Sequence, residues 1–379
     1  MNNINNKILM LVRTSGLEYD DRVRKEVLSL MNLGYSISIL ANYTNNNAES
    51  GKTSYGADYV VFKLITRSIF PSARFLVLKM LEFWIKVVIN TIFKKYSYIW
   101  VHEEYMALNI LFKPVRGKYI FDLHELPLFL SANKKRKLLF KQIERKCNSL
   151  VVANKERLEF MKQNDLVTNS KKYFVLNNFP DRVFGNIPVQ ELPKDISRKL
   201  NMKNYILMQG GGHKDRYPLE VLSAIKKHGK FKAIIVGPVD ESLLSNINRD
   251  FSDIVLIVGY IKQLELPAYI DHSWSSMILY SHDSPNNIFC EPNRLYQALN
   301  RGIPVLGGNN PPTKNIINDT KAGIVLNTDG SHIEDIYNGI VLMENNYNNF
   351  KINALKVKNK FSWESQENKI SRILQPYKN

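Results

Sequence analysis

The sequence predicts an α/β protein of two doubly wound domains, each a parallel sheet with helices on both faces. Three observations carry that prediction. Short apolar runs of buried-strand type alternate with helical stretches, the pattern of βαβ units. One opening occurs twice, a strand followed by a glycine-bearing loop and a helix: Lys7–Val12 with Arg13-Thr14-Ser15-Gly16, and Tyr205–Met208 with Gln209-Gly210-Gly211-Gly212. Between them Asn177-Asn178-Phe179-Pro180-Asp181 disfavours regular structure and reads as a link. The 379 residues suffice for two or three domains of roughly 150 residues each. We expect domains over 1–180 and 181–360, with 361–379 a C-terminal helix packing back on the first.

In the first half, Asp20 and Asp21 open a helix, where carboxylates suit the positive end of the helix dipole. Val23, Val27, Leu28, Leu30 and Met31 form its apolar face, and Gly34 ends it before a strand over Tyr35–Leu40. Further strands are expected at Tyr59–Leu64, Tyr98–Val101, Tyr119–Phe121 and Ser149–Val152. In the second half a helix runs from about Pro218 to Lys227, and strands follow at Lys232–Val236, Ile254–Val258, Met277–Tyr280, Ile303–Leu306 and Gly323–Leu326. A helix over Asn293–Asn300 lies among them. Two such domains facing one another place a ligand cleft between the carboxyl ends of their strands.

Composition narrows the class. Apolar residues at 44% and charged residues at 23% exclude disordered and collagen-like chains. Cys147 and Cys290 permit one bridge at most, which excludes a disulfide scaffold. Two cysteines and scattered histidines predict no zinc cluster, so no metal site is expected. The start, MNNINNKILMLV, lacks a basic region, a long apolar core and a cleavage site, and is read as that of a cytoplasmic protein.

The net charge is +17, of which residues 1–180 carry +13 and residues 181–379 only +4. Such a field favours anionic partners, or merely aids solubility. No nucleic-acid-binding signature accompanies it, and none is expected as a partner. Phe75 to Phe93 is strongly apolar, yet Lys79, Glu82 and Lys86 lie within it. Each charge at the centre of a spanning helix costs roughly 2.5–3.5 kcal/mol, which argues against a membrane span. Helical spacing puts Lys79, Glu82, Lys86 and Asn90 on one stripe, with Arg67, Arg74, Lys94 and Lys95 flanking. Two readings stay open: a helix lying in an anionic membrane interface, or one covering the first sheet.

Four segments, in order, carry a family resemblance. They are Asp21-Arg22-Val23-Arg24-Lys25-Glu26 running on to Leu33-Gly34-Tyr35; Phe121-Asp122-Leu123-His124-Glu125-Leu126; Met208-Gln209-Gly210 with Lys214-Asp215-Arg216; and Pro292-Asn293-Arg294-Leu295-Tyr296-Gln297-Ala298-Leu299 with Gly302-Ile303-Pro304-Val305. Together they resemble retaining glycosyltransferases of the GT-B fold, close to family 4, over nearly the whole chain. The resemblance implies two facing Rossmann-like domains with an interdomain cleft. It implies an acceptor-binding first domain and a nucleotide-sugar-binding second. The expected reaction moves a sugar from a nucleotide diphosphate sugar to a glycan or lipid-linked glycan in surface-polysaccharide assembly. Configuration is retained and neither metal nor cofactor is needed. The expected place is the cytoplasm, with the inner face of the cytoplasmic membrane as a peripheral site.

For the residues, the resemblance implies that Arg216 and Arg294 meet the donor diphosphate, beside Gly210 and Gly211, whose backbone N–H groups suit an anion. Gly237 and Tyr260 line the nucleobase site, and Asn293 belongs to the same donor helix. Gly16 either admits the donor or simply makes the turn after the first strand. His124, at a strand end, is the candidate catalytic residue; its other reading is a satisfied structural histidine. Asp122 and Glu125 flank it as candidate acceptor contacts. One departure matters. Gln297 stands where the family has a ribose-binding Glu, and Phe289 where it has an acidic partner. A non-catalytic nucleotide-sugar-binding or scaffolding protein is therefore the alternative.

Overall fold

A computed structural model of the chain describes residues 6–70, 75–126, 134–168 and 172–375. The chain divides into two compact units, Met1–Asn177 with Gln366–Asn379, and Asn178–Ser365. Each is a Rossmann-like α/β layer structure.

The first unit holds eight strands: β1 (Lys7–Thr14), β2 (Ser36–Tyr43), β3 (Glu49–Lys52), β4 (Asp58–Val61), β5 (Tyr98–His102), β6 (Lys118–Leu123), β7 (Ser149–Val152) and β8 (Tyr173–Val175). Their order is β3-β4-β2-β1-β5-β6-β7-β8. All neighbours are parallel except β3 with β4. The apolar run of β1 is buried from Ile8 to Val12 because it lies mid-sheet, with helices on both faces. Asp20 caps the helix Asp21–Asn32 by accepting a hydrogen bond from the Val23 N–H at 3.2 Å. The edge strand β3 escaped the sequence reading because Glu49-Ser50-Gly51-Lys52 is polar and exposed, without apolar alternation. The closing helix Glu367–Leu374 belongs to this unit: Ser149 Oγ donates to the Ile373 carbonyl at 2.6 Å, and Lys369 Nζ to that of Val175 at 3.0 Å.

The second unit holds β9 (Tyr205–Gln209), β10 (Lys232–Val236), β11 (Val255–Val258), β12 (Ser275–Ile278), β13 (Val305–Gly307) and β14 (Gly323–Val325). The order is β11-β10-β9-β12-β13-β14, all parallel. β12 begins at Ser275, two residues before its expected start; Ser275 and Ser276 are buried, which a hydropathy reading does not foresee. The helix Asn293–Asn300 occupies its expected span.

Strand order reverses between β1 and β5 in one sheet and between β9 and β12 in the other. At such switch points the loops leave in opposite directions and open a crevice at the carboxyl ends, where open α/β sheets bind ligands.

The helix Leu76–Thr91 presents an unexpected face. Lys79, Phe83, Val87 and Thr91 are buried, one every four residues. Most of the apolar side chains are left outside. Among the described residues no helix is long and apolar enough to cross a membrane.

Candidate functional site

At the carboxyl edge of the first sheet, the parallel register sets His102 of β5 beside Asp122 of β6. Asp122 is fully buried, and its oxygens are engaged by Arg22 Nη2 at 2.8 Å and Trp100 Nε1 at 3.1 Å. That corrects its assignment as an acceptor contact: it is an internal anchor. Arg22 spans from the first helix, donating also to the Leu176 carbonyl at 2.8 Å and standing 3.0 Å from Glu26. Burial opposes the Asp122 charge, but Arg22 and His124 hold its pKa well below the usual carboxylate range. The Asp21–Glu26 segment thus serves this site through Arg22.

His124 follows β6, with 22% of its side chain exposed. Its Nε2 lies 3.1 Å from His102 Nδ1 and 3.5 Å from Asp122 Oδ1. Its Nδ1 lies 3.4 Å from Glu103 Oε1, which also accepts the His124 backbone N–H at 3.0 Å. Burial opposes the charged imidazole, but Asp122 outweighs it and the His124 pKa is raised. Burial and neighbouring His124 push His102 down to about 3. Burial pushes Glu103 up to about 7, with His124 opposing and the carboxylates of Glu125 and Asp122 adding to the rise. Glu103, with 26% of its side chain exposed, is a carboxyl poised near neutrality. Sequence reading missed both His102 and Glu103; the available signal was their place at the carboxyl end of a strand adjoining β1. Glu125 is exposed, and Gly16 is buried in the turn after β1 in an extended conformation (φ 174°) that any residue adopts.

His102, Asp122 and His124 also offer three ligand-type atoms within 4.8 Å of one another. The expectation of no such cluster rested on linear spacing, which does not see adjacent strands. The donor set is nonetheless spent internally: the histidines face each other and Asp122 carries a cationic guanidinium.

In the second unit the site forms where β9 and β12 separate. Gly210 has φ 61°, a left-handed conformation suited to glycine. A Cβ there would lie 2.5 Å from Arg216 Nη1 and 3.8 Å from Arg294 Nη1. Arg216 donates to the Gly210 carbonyl. Arg294 donates to the carbonyls of Gln209 at 2.6 Å and Leu279 at 2.8 Å. Both guanidinium groups lie over the Tyr280 ring, 5.0 and 4.7 Å from its centre. Burial lowers Arg294 to about 10, so it stays charged at neutral pH. Among the described residues the Nε atoms of Arg216 and Arg294 are buried without a hydrogen-bond partner; that of Arg216 stands 4.0 Å from Asp215 Oδ1, whereas no carboxylate faces that of Arg294 within ion-pair distance. Buried unpaired cationic N–H groups are costly, and an anionic oxygen is the partner that relieves them.

The glycine loop itself is corrected. The Gly210 N–H donates to Val236 and the Gly211 N–H to Met208, so neither is free for phosphate. The next α-helix starts only at Pro218, after a short turn over Lys214–Arg216. Gly210 contributes room for the two arginines. Gly237, with φ 106°, ends β10 beside it, while Tyr260 is exposed beyond β11. Asn293 is exposed at the start of its helix. Gln297 is 4% exposed, and its Oε1 accepts a hydrogen bond from Gln209 Nε2 at 2.7 Å. A shallow groove lined by Lys194, Arg198 and His272 lies toward the amino ends of β9 and β12, away from this chemistry.

No family profile matches the chain, and no curated protein does. Solved structures are similar over nearly its full length. Sucrose-phosphate synthase from Thermosynechococcus elongatus gives a TM-score of 0.77 at 13% identity, covering 97% of this chain and 98% of that one. A glycosyltransferase from Rickettsia africae gives 0.73 at 13%, covering 97% and 98%. Anabaena HepE in complex with UDP-glucose gives 0.72 at 13%, covering 97% and 99%. These likenesses show the fold, which is GT-B.

Proposed function

We propose that this protein is a glycosyltransferase. It moves a sugar from a nucleotide diphosphate sugar to a glycan or lipid-linked glycan, with retention and without a metal. Its place is the cytoplasm, at the inner face of the membrane, in surface-polysaccharide assembly. The observation that carries this is the convergence of Arg216 and Arg294 on Gly210 at the switch point of the second sheet. When the bond between the sugar and the diphosphate breaks, the electron pair goes to the diphosphate oxygen. Two guanidinium groups held in advance stabilise that growing charge without reorganising. His124 and Glu103 are assigned to the sugar and acceptor hydroxyls. Anabaena HepE is known with UDP-glucose bound, which makes a uridine donor the first to try.

The test is a thermal-shift screen of the full chain against nucleotides and nucleotide sugars, followed by transfer assays with each stabilising donor. A ligand at a hundred times its Kd stabilises the folded state by about 2.7 kcal/mol. Failure of every nucleotide diphosphate to shift the transition sinks the reading. A second reading, a non-catalytic protein that binds nucleotide sugars, draws on the engagement of Gln297 by Gln209. Donor binding without transfer or hydrolysis would favour it.

A further inference from the structure

The helix Leu76–Thr91 buries Phe83 and Val87 as a covering helix does, but its outer face is apolar as well. Its buried stripe includes a lysine and a threonine, Lys79 and Thr91. Its outer stripe is Val77, Leu81, Ile85 and Ile89, continued by Phe93, at fractional exposures from 44% to 95%. A helix that turns this much branched apolar surface outward is at odds with water as its final surroundings.

The patch extends beyond the helix. Ile65 and Ile69 of the short helix Ile65–Ile69 are exposed beside it, because Glu82 caps that helix by accepting the N–H groups of Ile65 and Thr66. On another side Phe112 is exposed and meets the Trp84 ring edge-on, 6.3 Å between centres.

Charge identifies the occupant. From Phe62 to Lys95 the only acidic residue is Glu82, and it is spent on its capping bonds. Lys63, Lys94, Lys95, Lys113 and Arg116 are exposed next to the apolar side chains in sequence. An apolar face whose own segment, Phe62 to Lys95, carries cations at its ends and no acidic residue besides the engaged Glu82 matches the boundary of an anionic bilayer. We infer that this face seats the first unit on an anionic lipid surface, the outer stripe entering the acyl boundary and the rim pairing with headgroups. The inference rests on the peripheral placement proposed above and identifies the surface that produces it; it does not depend on the chemistry of transfer.

The test is co-sedimentation of the full chain with phosphatidylcholine vesicles, with and without phosphatidylglycerol. Wild type is expected to bind the anionic vesicles at low salt, to be partly released at high salt, and to bind the neutral ones weakly. Ile85→Ser with Ile89→Ser, both at exposed positions, is expected to reduce partitioning about ten-fold. Its melting temperature and response to nucleotides are expected to stay those of wild type. Lys94→Glu with Lys95→Glu is expected to lose about five-fold or more per charge at low salt and converge on wild type at high salt. The inference is overturned if wild type ignores anionic vesicles or binds neutral ones equally. It is also overturned if the isoleucine variant binds undiminished, or if sedimentation without lipid shows a dimer that this variant dissolves. Vesicle binding without any nucleotide response would sink the transferase reading while leaving this one standing.

Discussion

His102 Nδ1 stands 3.1 Å from His124 Nε2, and the two rings meet nearly edge-on. Their opposite pKa shifts assign the proton. His102, held neutral, accepts at Nδ1, and His124, favoured in its charged form, donates from Nε2. The remaining proton of His102 is then on Nε2, which stands 3.7 Å from Glu26 Oε2, beyond hydrogen-bond distance. His102, Asp122 and Glu103 between them hold the orientation of the candidate catalytic imidazole.

His124→Ala should lower turnover more than donor affinity, because its assigned contact strengthens as the sugar bond breaks. Measuring kcat beside the donor Kd decides this. Unchanged turnover with a lower melting temperature would make His124 a structural residue.

The pair also predicts a pH dependence of stability. The folded pKa of His102 is about 3, against about 6.5 unfolded. Between these values the unfolded chain binds the extra proton, so stability is lost as pH falls below 6.5. The steepest slope is about 1.4 kcal/mol per pH unit. His124 and Glu103, with raised pKa values, act in the opposite sense, contributing stability at low pH that is lost as pH rises through their folded values. His102→Asn keeps an acceptor toward His124 and removes the titration. Relative to the variant, wild type should lose about 1.6 kcal/mol more on going from pH 6.5 to pH 5. The groups facing His102 are Glu26, Arg22, Asp122 and His124, and all remain in the variant. Parallel urea-unfolding curves at the two pH values would refute the assignment.

Much of this was legible in the sequence. The strands and both glycine loops announced the two sheets, and Arg216, Arg294 and His124 were marked by their segments. What escaped depends on register. His102 and Glu103 gain meaning only when β5 lies against β6, 20 residues apart by the pairing of His102 with Asp122. The Gly210 N–H looked free because its carbonyl partner, on Val236, is set by tertiary structure, and the Gly211 N–H because composition does not show that the loop closes a turn back onto Met208. The helix Leu76–Thr91 was legible as amphipathic, but periodicity does not say which stripe faces inward, and Lys79 is buried.

Arg216→Ala and Arg294→Ala should each weaken donor binding and turnover ten-fold or more, since charged hydrogen bonds are worth roughly 1.5–3 kcal/mol. They should differ in stability. Arg294 is 6% exposed and holds two carbonyls, so its loss should also cost stability of that order. Arg216 is more exposed and satisfies one carbonyl, so its variant should melt close to wild type. Wild-type kinetics in both would remove the diphosphate assignment.

Gln297 joins the helix Asn293–Asn300 to the end of β9. Its Oε1 accepts from Gln209 Nε2, while the Gln209 backbone carbonyl accepts from Arg294. Gln209 thus touches both Gln297 and Arg294, so Gln297 supports Arg294 through it. Gln297→Ala strips the acceptor from the half-buried Gln209 amide, and losing that neutral hydrogen bond costs about 1 kcal/mol. That loss should appear as a lower melting temperature in the absence of any ligand. If the side chain also meets the donor ribose, nucleotide-sugar affinity should fall as well, by about 1 kcal/mol for a neutral hydrogen bond. Gln297→Glu keeps an acceptor toward Gln209 and makes it charge-assisted. It should hold or improve donor binding, with the carboxylate able to accept two ribose hydroxyls. Titration calorimetry of the three proteins with the donor found by screening separates the roles. A Gln297→Ala protein that melts low but binds the donor as tightly as wild type would leave Gln297 a support for Arg294, with the ribose held elsewhere.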